Sequence, residues 1–171
     1  MQTITTSLNP AVIVAGIFLS FIVMELIVGR FFQREGDRRD AIIETVGSTL
    51  LLGVTVPFIT FATGAIMATL APDAQGALSG IPWLAGFALF LLFDDMTQYW
   101  WHRLAHKVPF LYSLHRAHHS AKYMSIRIVY RNNSFYYLLM PGIWFSGILI
   151  YLGLAHVYFV YLILKMCVIF G

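Results

Sequence analysis

Long apolar runs alternate with short polar stretches along the chain, and the lengths of the runs are the first constraint. A helix crosses the ~30 Å hydrocarbon core of a bilayer with about 20 predominantly apolar residues. Ala11 to Gly29 supplies 19, interrupted near its end by Glu25. Ala41 to Leu70 runs 30 residues with one charge, Glu44, and with Pro57 near its middle. Ile81 to Trp101 gives 21, and Phe135 to Gly171 gives 37, enough for two crossings joined near Gly153. The pattern predicts an all-α integral membrane bundle of about five spans, 11–29, 41–70, 81–101, 135–152 and 156–171, forming a single membrane domain over 1–171. Pro57 admits two readings: one kinked span, or half-helices 41–56 and 57–70 in a re-entrant element. Pro109 and Pro141 act as local breakers.

Composition agrees with this picture and removes alternatives. Of 171 residues, 59% are hydrophobic and 11% charged, with mean hydropathy +0.75. A soluble domain carries about 25% charged residues, so this chain could not cover a water-facing surface. A cytosolic globule, a disordered chain and a nucleic-acid binder are excluded, despite a pI near 9.1. The one cysteine, Cys167, lies in an apolar run and allows no disulfide framework. Without a basic leading region, the N-terminus does not read as a cleavable signal peptide. Charge also orients the spans. Loop 30–40 carries Arg30, Arg34, Arg38 and Arg39, loop 71–80 carries no Lys or Arg, and segment 102–134 carries six basic residues. Positive loops stay in the cytoplasm, so 30–40 and 102–134 are predicted inside and 71–80 outside. That outside placement favours the kinked span at Pro57, because a re-entrant element would return 71–80 to the inside.

Five of the six histidines fall between residues 102 and 119. In HRLAH (102–106), His102 and His106 are i and i+4, one helical turn apart on one face. In HRAHH (115–119), His115 pairs with His118 and His119 in the same way. Pro109 disfavours helix at Val108, so the boxes are predicted on two helices that can aim several imidazoles at one point. Neutral imidazole suits iron, zinc, copper and nickel. Each box alone could be an interfacial helix face; the two together point to metal. Arg103 stands where a zinc-protease HExxH needs its glutamate, and no Glu-x-x-His pair occurs, so a carboxylate-bridged bundle is disfavoured. Asp95 and Tyr99 share a helical stripe with His102 and His106 and are predicted to orient those ligands from behind; the alternative is that Asp94 or Asp95 pairs with a nearby arginine. Glu25 and Glu44 are expected to pair with arginines of the first loop, and Trp100, Trp101, Tyr136, Tyr137 and Trp144 to form interfacial belts. His156 is predicted at the outer turn, remote from the boxes. Asn132-Asn133-Ser134 is a glycosylation sequon in form only, since it is placed inside.

The run D-x3-Y-x2-H-R-x2-H at Asp95, Tyr99, His102, Arg103 and His106, followed by a proline and by H-x2-H-H-S at His115, His118, His119 and Ser120, resembles the fatty acid hydroxylase/sterol desaturase superfamily of membrane oxygenases. The resemblance covers about residues 90–131, with Tyr112 where relatives often carry Trp. It implies that His102, His106, His115, His118 and His119 ligate a non-haem di-iron centre on cytoplasmic helices. It further implies hydroxylation or desaturation of a lipid, such as a sterol or fatty acyl chain, using molecular oxygen and an electron donor that the sequence does not identify. The family's third histidine box is absent, so the chain is expected to be an N-terminal fragment, inactive alone. Two other readings stand beside it: a membrane haem protein with paired histidine axial ligands, and a metal-binding paralogue without catalysis.

Overall fold

A computed structural model describes residues 38–121, 128 and 131–170, together with seven helical residues between 16 and 27. Most of the predicted first span, Glu25 and the side chain of Cys167 lie outside the described residues. Among those described there are helices and turns and no strand. Helix α1 (Arg38–Leu50) continues through a π-turn (Leu51–Thr55) into α2 (Val56–Leu70). The cause of the π-turn is Pro57, which has no N–H for the Gly53 carbonyl and whose ring crowds the preceding turn. The backbone widens just ahead of it, the Val56 N–H reaching back five residues to Leu51 O. The run is continuous, so Pro57 deforms one helix and does not divide it into half-helices. Hydroxyls in this apolar stretch bond to their own helix: Ser48 donates to Glu44 O, Thr60 to Val56 O and Thr63 to Ile59 O. Each then presents little unsatisfied polarity to an apolar surrounding.

The remaining elements are α3 (Trp83–Ala105), α4 (Pro109–His119), the short α5 (Ser134–Leu138), α6 (Pro141–Leu149), a second π-turn (Ile150–Leu154) and α7 (Ala155–Phe170). Among the described residues, two helical runs are long and apolar enough to cross a membrane, Ile42–Leu70 and Pro141–Lys165. The second is not straight. Gly153 has φ +107°, and the chain reverses there. On the way out, Gly142 lies against Thr97 and Phe145 stacks on Phe93; on the way back, Leu154 lies against Gly86, Tyr161 stacks on Phe90 and Lys165 meets Asp94. Thus α6 runs antiparallel to α3 and α7 parallel to it, as a hairpin whose tip is held by Gly76 N–H to Tyr151 O and Leu78 N–H to Leu152 O. A side chain at Gly153 would meet Gly76 Cα and the Ser79 N at 3.1 Å, so both conformation and space require glycine.

Met140 is extended before Pro141, so α5 and α6 are separate helices. Through the π-turn, α6 continues to the hairpin tip at Gly153. It is wedged between α2 and α3. Its glycines make that possible: a Cβ at Gly142 would stand 2.8 Å from Thr97 Oγ1, and one at Gly147 2.8 Å from Thr63 Cβ and Oγ1. Small residues let helix backbones approach in this way. Asp94, for which an arginine partner was the alternative reading, is paired with Lys165, at 2.6 Å and 71 residues away, which ties the returning arm α7 to α3.

Candidate metal centre

The last turns of α3 carry the first histidine box, and α4 carries the second. His106 caps α3, and Val108 is extended before Pro109, which opens α4 with its missing N–H where no partner is needed. The chain therefore folds back within three residues and brings the boxes face to face. Four imidazoles converge. One ring nitrogen from each of His102, His106, His115 and His119 lies within 4.8 Å of the others. Nε2 of His106 is 3.1 Å from Nε2 of His102, and Nε2 of His119 is 3.0 Å from Nε2 of His115. Ring centroids form a puckered square, with edges of 4.7 Å (102–106), 4.7 Å (106–119), 4.8 Å (119–115) and 4.7 Å (115–102).

These distances fit a metal shell. Two nitrogens bound at about 2.1 Å to one ion, at right angles, stand about 3.0 Å apart, and no two can exceed about 4.2 Å. The close pairs already match the first figure. The widest separation needs to close by only about 0.6 Å, a side-chain adjustment. The donor set is all imidazole, which suits a first-row transition metal.

Protonation is tuned to the same end. His115 is 2% exposed, and its burial, reinforced by the neighbouring His102 and His119, lowers its pKa to about 4 even though the bond to Asn132 acts the other way. His102 and His119 are lowered too, first by burial and then by nearby imidazoles. The rings are held neutral, the state that binds metal. For the metal-free chain the sign follows from linkage. The unfolded state takes up a proton near pH 6.5 that native His115 refuses until about 4. This contribution to stability is complete above about 6.5 and is lost as pH falls toward 4. Thermal melts of metal-stripped protein are expected to shift downward from pH 7.5 to 5; melts that do not move, or that rise, would contradict the burial of a neutral His115.

The fifth histidine of the boxes, His118, stands beside the square. Its ring is 5.4 Å from that of His115 and 5.3 Å from that of His119, and its Nδ1–H donates to Ile128 O at 2.9 Å. His115 is held likewise, Nδ1–H donating to Asn132 Oδ1 at 2.9 Å while Asn132 Nδ2 donates to the Tyr137 hydroxyl at 3.1 Å. These tautomers follow from the hydrogen-bond network. In both residues the outward nitrogen is tied and the Nε2 lone pair is left for a ligand role, the usual support of a metal-binding imidazole. Asn132 was legible in the sequence only as part of a sequon. Tyr136 and Tyr137, expected in an interfacial belt, are buried instead, and Tyr136 stacks on His115 at 4.9 Å.

Asp95 and Tyr99 share the histidine stripe of α3, but the structure does not bring them to the imidazoles. Asp95 is exposed two turns before His102, and no hydrogen bond joins it to a histidine among the described residues. The Tyr99 hydroxyl accepts from Arg103, whose guanidinium lies over the Tyr99 and Trp100 rings. His156 sits at the hairpin tip near the level of Gly86, sixteen residues or about 24 Å along α3 from His102. An apolar cleft of about 280 Å³, lined by Phe93, Thr97, Trp100, Leu104 and Phe145 among others, follows the face of α3 turned away from His102 and His106. It is no route to the cluster. His102, His106 and His119 are exposed, so the square is open on its own side.

Comparison with known proteins places this geometry. The profile of the fatty acid hydroxylase family matches residues 87–170, which include α3 from its second turn, both histidine boxes and the hairpin. Alkylglycerol monooxygenase from Danio rerio is 34% identical over 55 residues, 31% of this chain and 12% of that protein. The chain thus covers about an eighth of the curated relative it matches. No solved structure gives a significant match. Residues 87–170, just under half of the chain, match the fatty acid hydroxylase family.

Proposed function

We propose that this chain carries the metal centre of a membrane oxygenase that hydroxylates a lipid C–H bond, with non-haem iron held by the two histidine boxes. The observation that carries the reading is the convergence of His102, His106, His115 and His119 inside the segment that matches the family. Iron bound there would supply the oxygen activation that no side chain can perform. The chain's own contributions are binding and orientation. Each cluster histidine offers one ring nitrogen, and Asn132 and Ile128 O fix the rings of His115 and His118 from outside. Tyr136 covers His115 on the protein side, while the exposed edge at His102, His106 and His119 leaves an approach for lipid and oxygen. The di-iron form assigns His118 as the fifth nitrogen, serving a second ion beside the square. A haem is poorly accommodated. Its axial histidines must face each other across a flat macrocycle, and here two further imidazoles occupy the space between.

In this reading the protein is multi-pass. Loop 71–82 and the boxes lie at opposite ends of α3, whose 23 residues rise about 34 Å, matching one bilayer core. The basic residues Arg103, Lys107 and Arg116 support a cytoplasmic position for the boxes, within reach of a soluble electron donor. The relative's name makes an ether lipid of glycerol the first substrate class to test, with fatty acyl and sterol lipids behind it. Cells expressing the natural gene, fed a 1-O-alkylglycerol under ¹⁸O₂, are expected to form product with one ¹⁸O from the gas, and His106→Ala to remove it. Equal labelling with and without His106, for every lipid class supplied, would refute the oxygenase reading.

A further inference from the structure

We infer that α1, although it precedes the segment matched by the family, belongs to the metal centre's scaffold: Asp40 and Glu44 clamp Arg131, and Arg131 fixes Ile128 and Asn132, whose oxygens aim His118 and His115. The inference rests on reading the histidine square as a metal centre, and it adds two carboxylates and an arginine that act through other residues. An imidazole can turn about two side-chain bonds, so its Nε2 is aimed only while its Nδ1–H is held. For the second box both holders come from one short stretch. Ile128 O accepts from His118, and Asn132 Oδ1 accepts from His115. This stretch is stitched to itself and to α4, with Arg131 N–H donating to Ile128 O at 2.9 Å and Asn133 N–H to Leu114 O at 3.2 Å.

Its outer anchor lies elsewhere in the chain. The Arg131 guanidinium meets Asp40 at 3.0 Å and Glu44 at 3.4 Å, partners 91 and 87 residues away. Asp40 and Glu44 are i and i+4 on α1 and so present two carboxylates on one face. A planar guanidinium can bridge them; an ammonium cannot do so with the same geometry. Glu44 is fully buried, and burying such a charge is a costly way to gain stability alone. The clamp does fix the position of Arg131, and the next residue is the one that orients His115.

Cobalt(II) titration of the 171-residue chain in detergent, followed by visible ligand-field absorption, tests this alongside circular dichroism melts. Asn132→Ala is expected to weaken cobalt binding about 10- to 100-fold, and Asn132→Asp, which keeps the acceptor oxygen, to restore most of it. Asp40→Asn, at the more exposed carboxylate, and Arg131→Lys are expected to weaken it about 3- to 30-fold with helix content unchanged. If both clamp variants titrate like the wild type while Asn132→Ala does not, the clamp is overturned and the metal centre stands. Affinity lost only where helix content is also lost overturns it as well. A wild-type chain that binds no cobalt removes the metal reading and this inference together.

Discussion

Alanine at His115 is expected to cost the chain its tightly bound metal. His115 is the one buried member of the square, the ring with the most extensive support, and the one whose environment most strongly holds it neutral. Removing a support residue typically costs 10–100-fold in metal affinity; removing the ligand itself is expected to cost more than about 100-fold on the same scale. Alanine at His102, His106 or His119 should act in the same direction. His118→Ala discriminates between one ion and two: on a di-iron centre it lowers the metal content from two per chain toward one without emptying the square. His156→Ala, at the far end of α3, should leave metal content unchanged. Elemental analysis of the six variants checks all of this, and full metal content after alanine at two or more of the box histidines would show that the ligands are assigned wrongly.

The largest effect on stability is expected at Gly147. Its α-carbon faces Thr63 of α2 so closely that an added Cβ would stand 2.8 Å from the threonine Cβ, an atom that cannot swing aside. Thr63 is itself fixed, buried and donating its hydroxyl to Ile59 O at 2.7 Å. Gly147→Ala must therefore push α6 away from α2, at a cost of about 1–3 kcal/mol, and Gly147→Val should cost more. Gly64 on α2 has open space around it, and Gly64→Ala is expected to be neutral or slightly stabilising through helix propensity. Melting temperatures of the three variants in one detergent provide the check. A Gly147→Val chain as stable as the wild type would mean that α6 does not sit between α2 and α3 as described.

How far the sequence could be read depends on the range of the interaction concerned. Spacing within one helix was legible, because i, i+3 and i+4 positions share a face whatever the fold: the boxes and the break at Pro109 follow from local geometry, while the single helix through Pro57 was chosen over half-helices by the absence of Lys and Arg from loop 71–80. The turn at Gly153 was legible too, since a glycine between two apolar runs is a natural place to reverse. Pairings across the chain were not. Arg131 reaches Glu44 from 87 residues away and Lys165 reaches Asp94 from 71, and no local spacing announces either partner. Tyr136 and Tyr137 look like belt aromatics in composition, and only the folding of α5 under α4 shows them walling the site. Asp95 illustrates the converse. A shared helical stripe sets direction but not reach, and two turns separate its carboxylate from His102.

The square itself is tested most directly by metal analysis and absorption of the wild-type chain, purified in detergent and loaded with ferrous iron under anaerobic conditions. One to two irons per chain, retained through gel filtration and without a Soret band, is the expected result. A chain that retains no iron, or one that shows a Soret band, would contradict a non-haem iron centre held by His102, His106, His115 and His119.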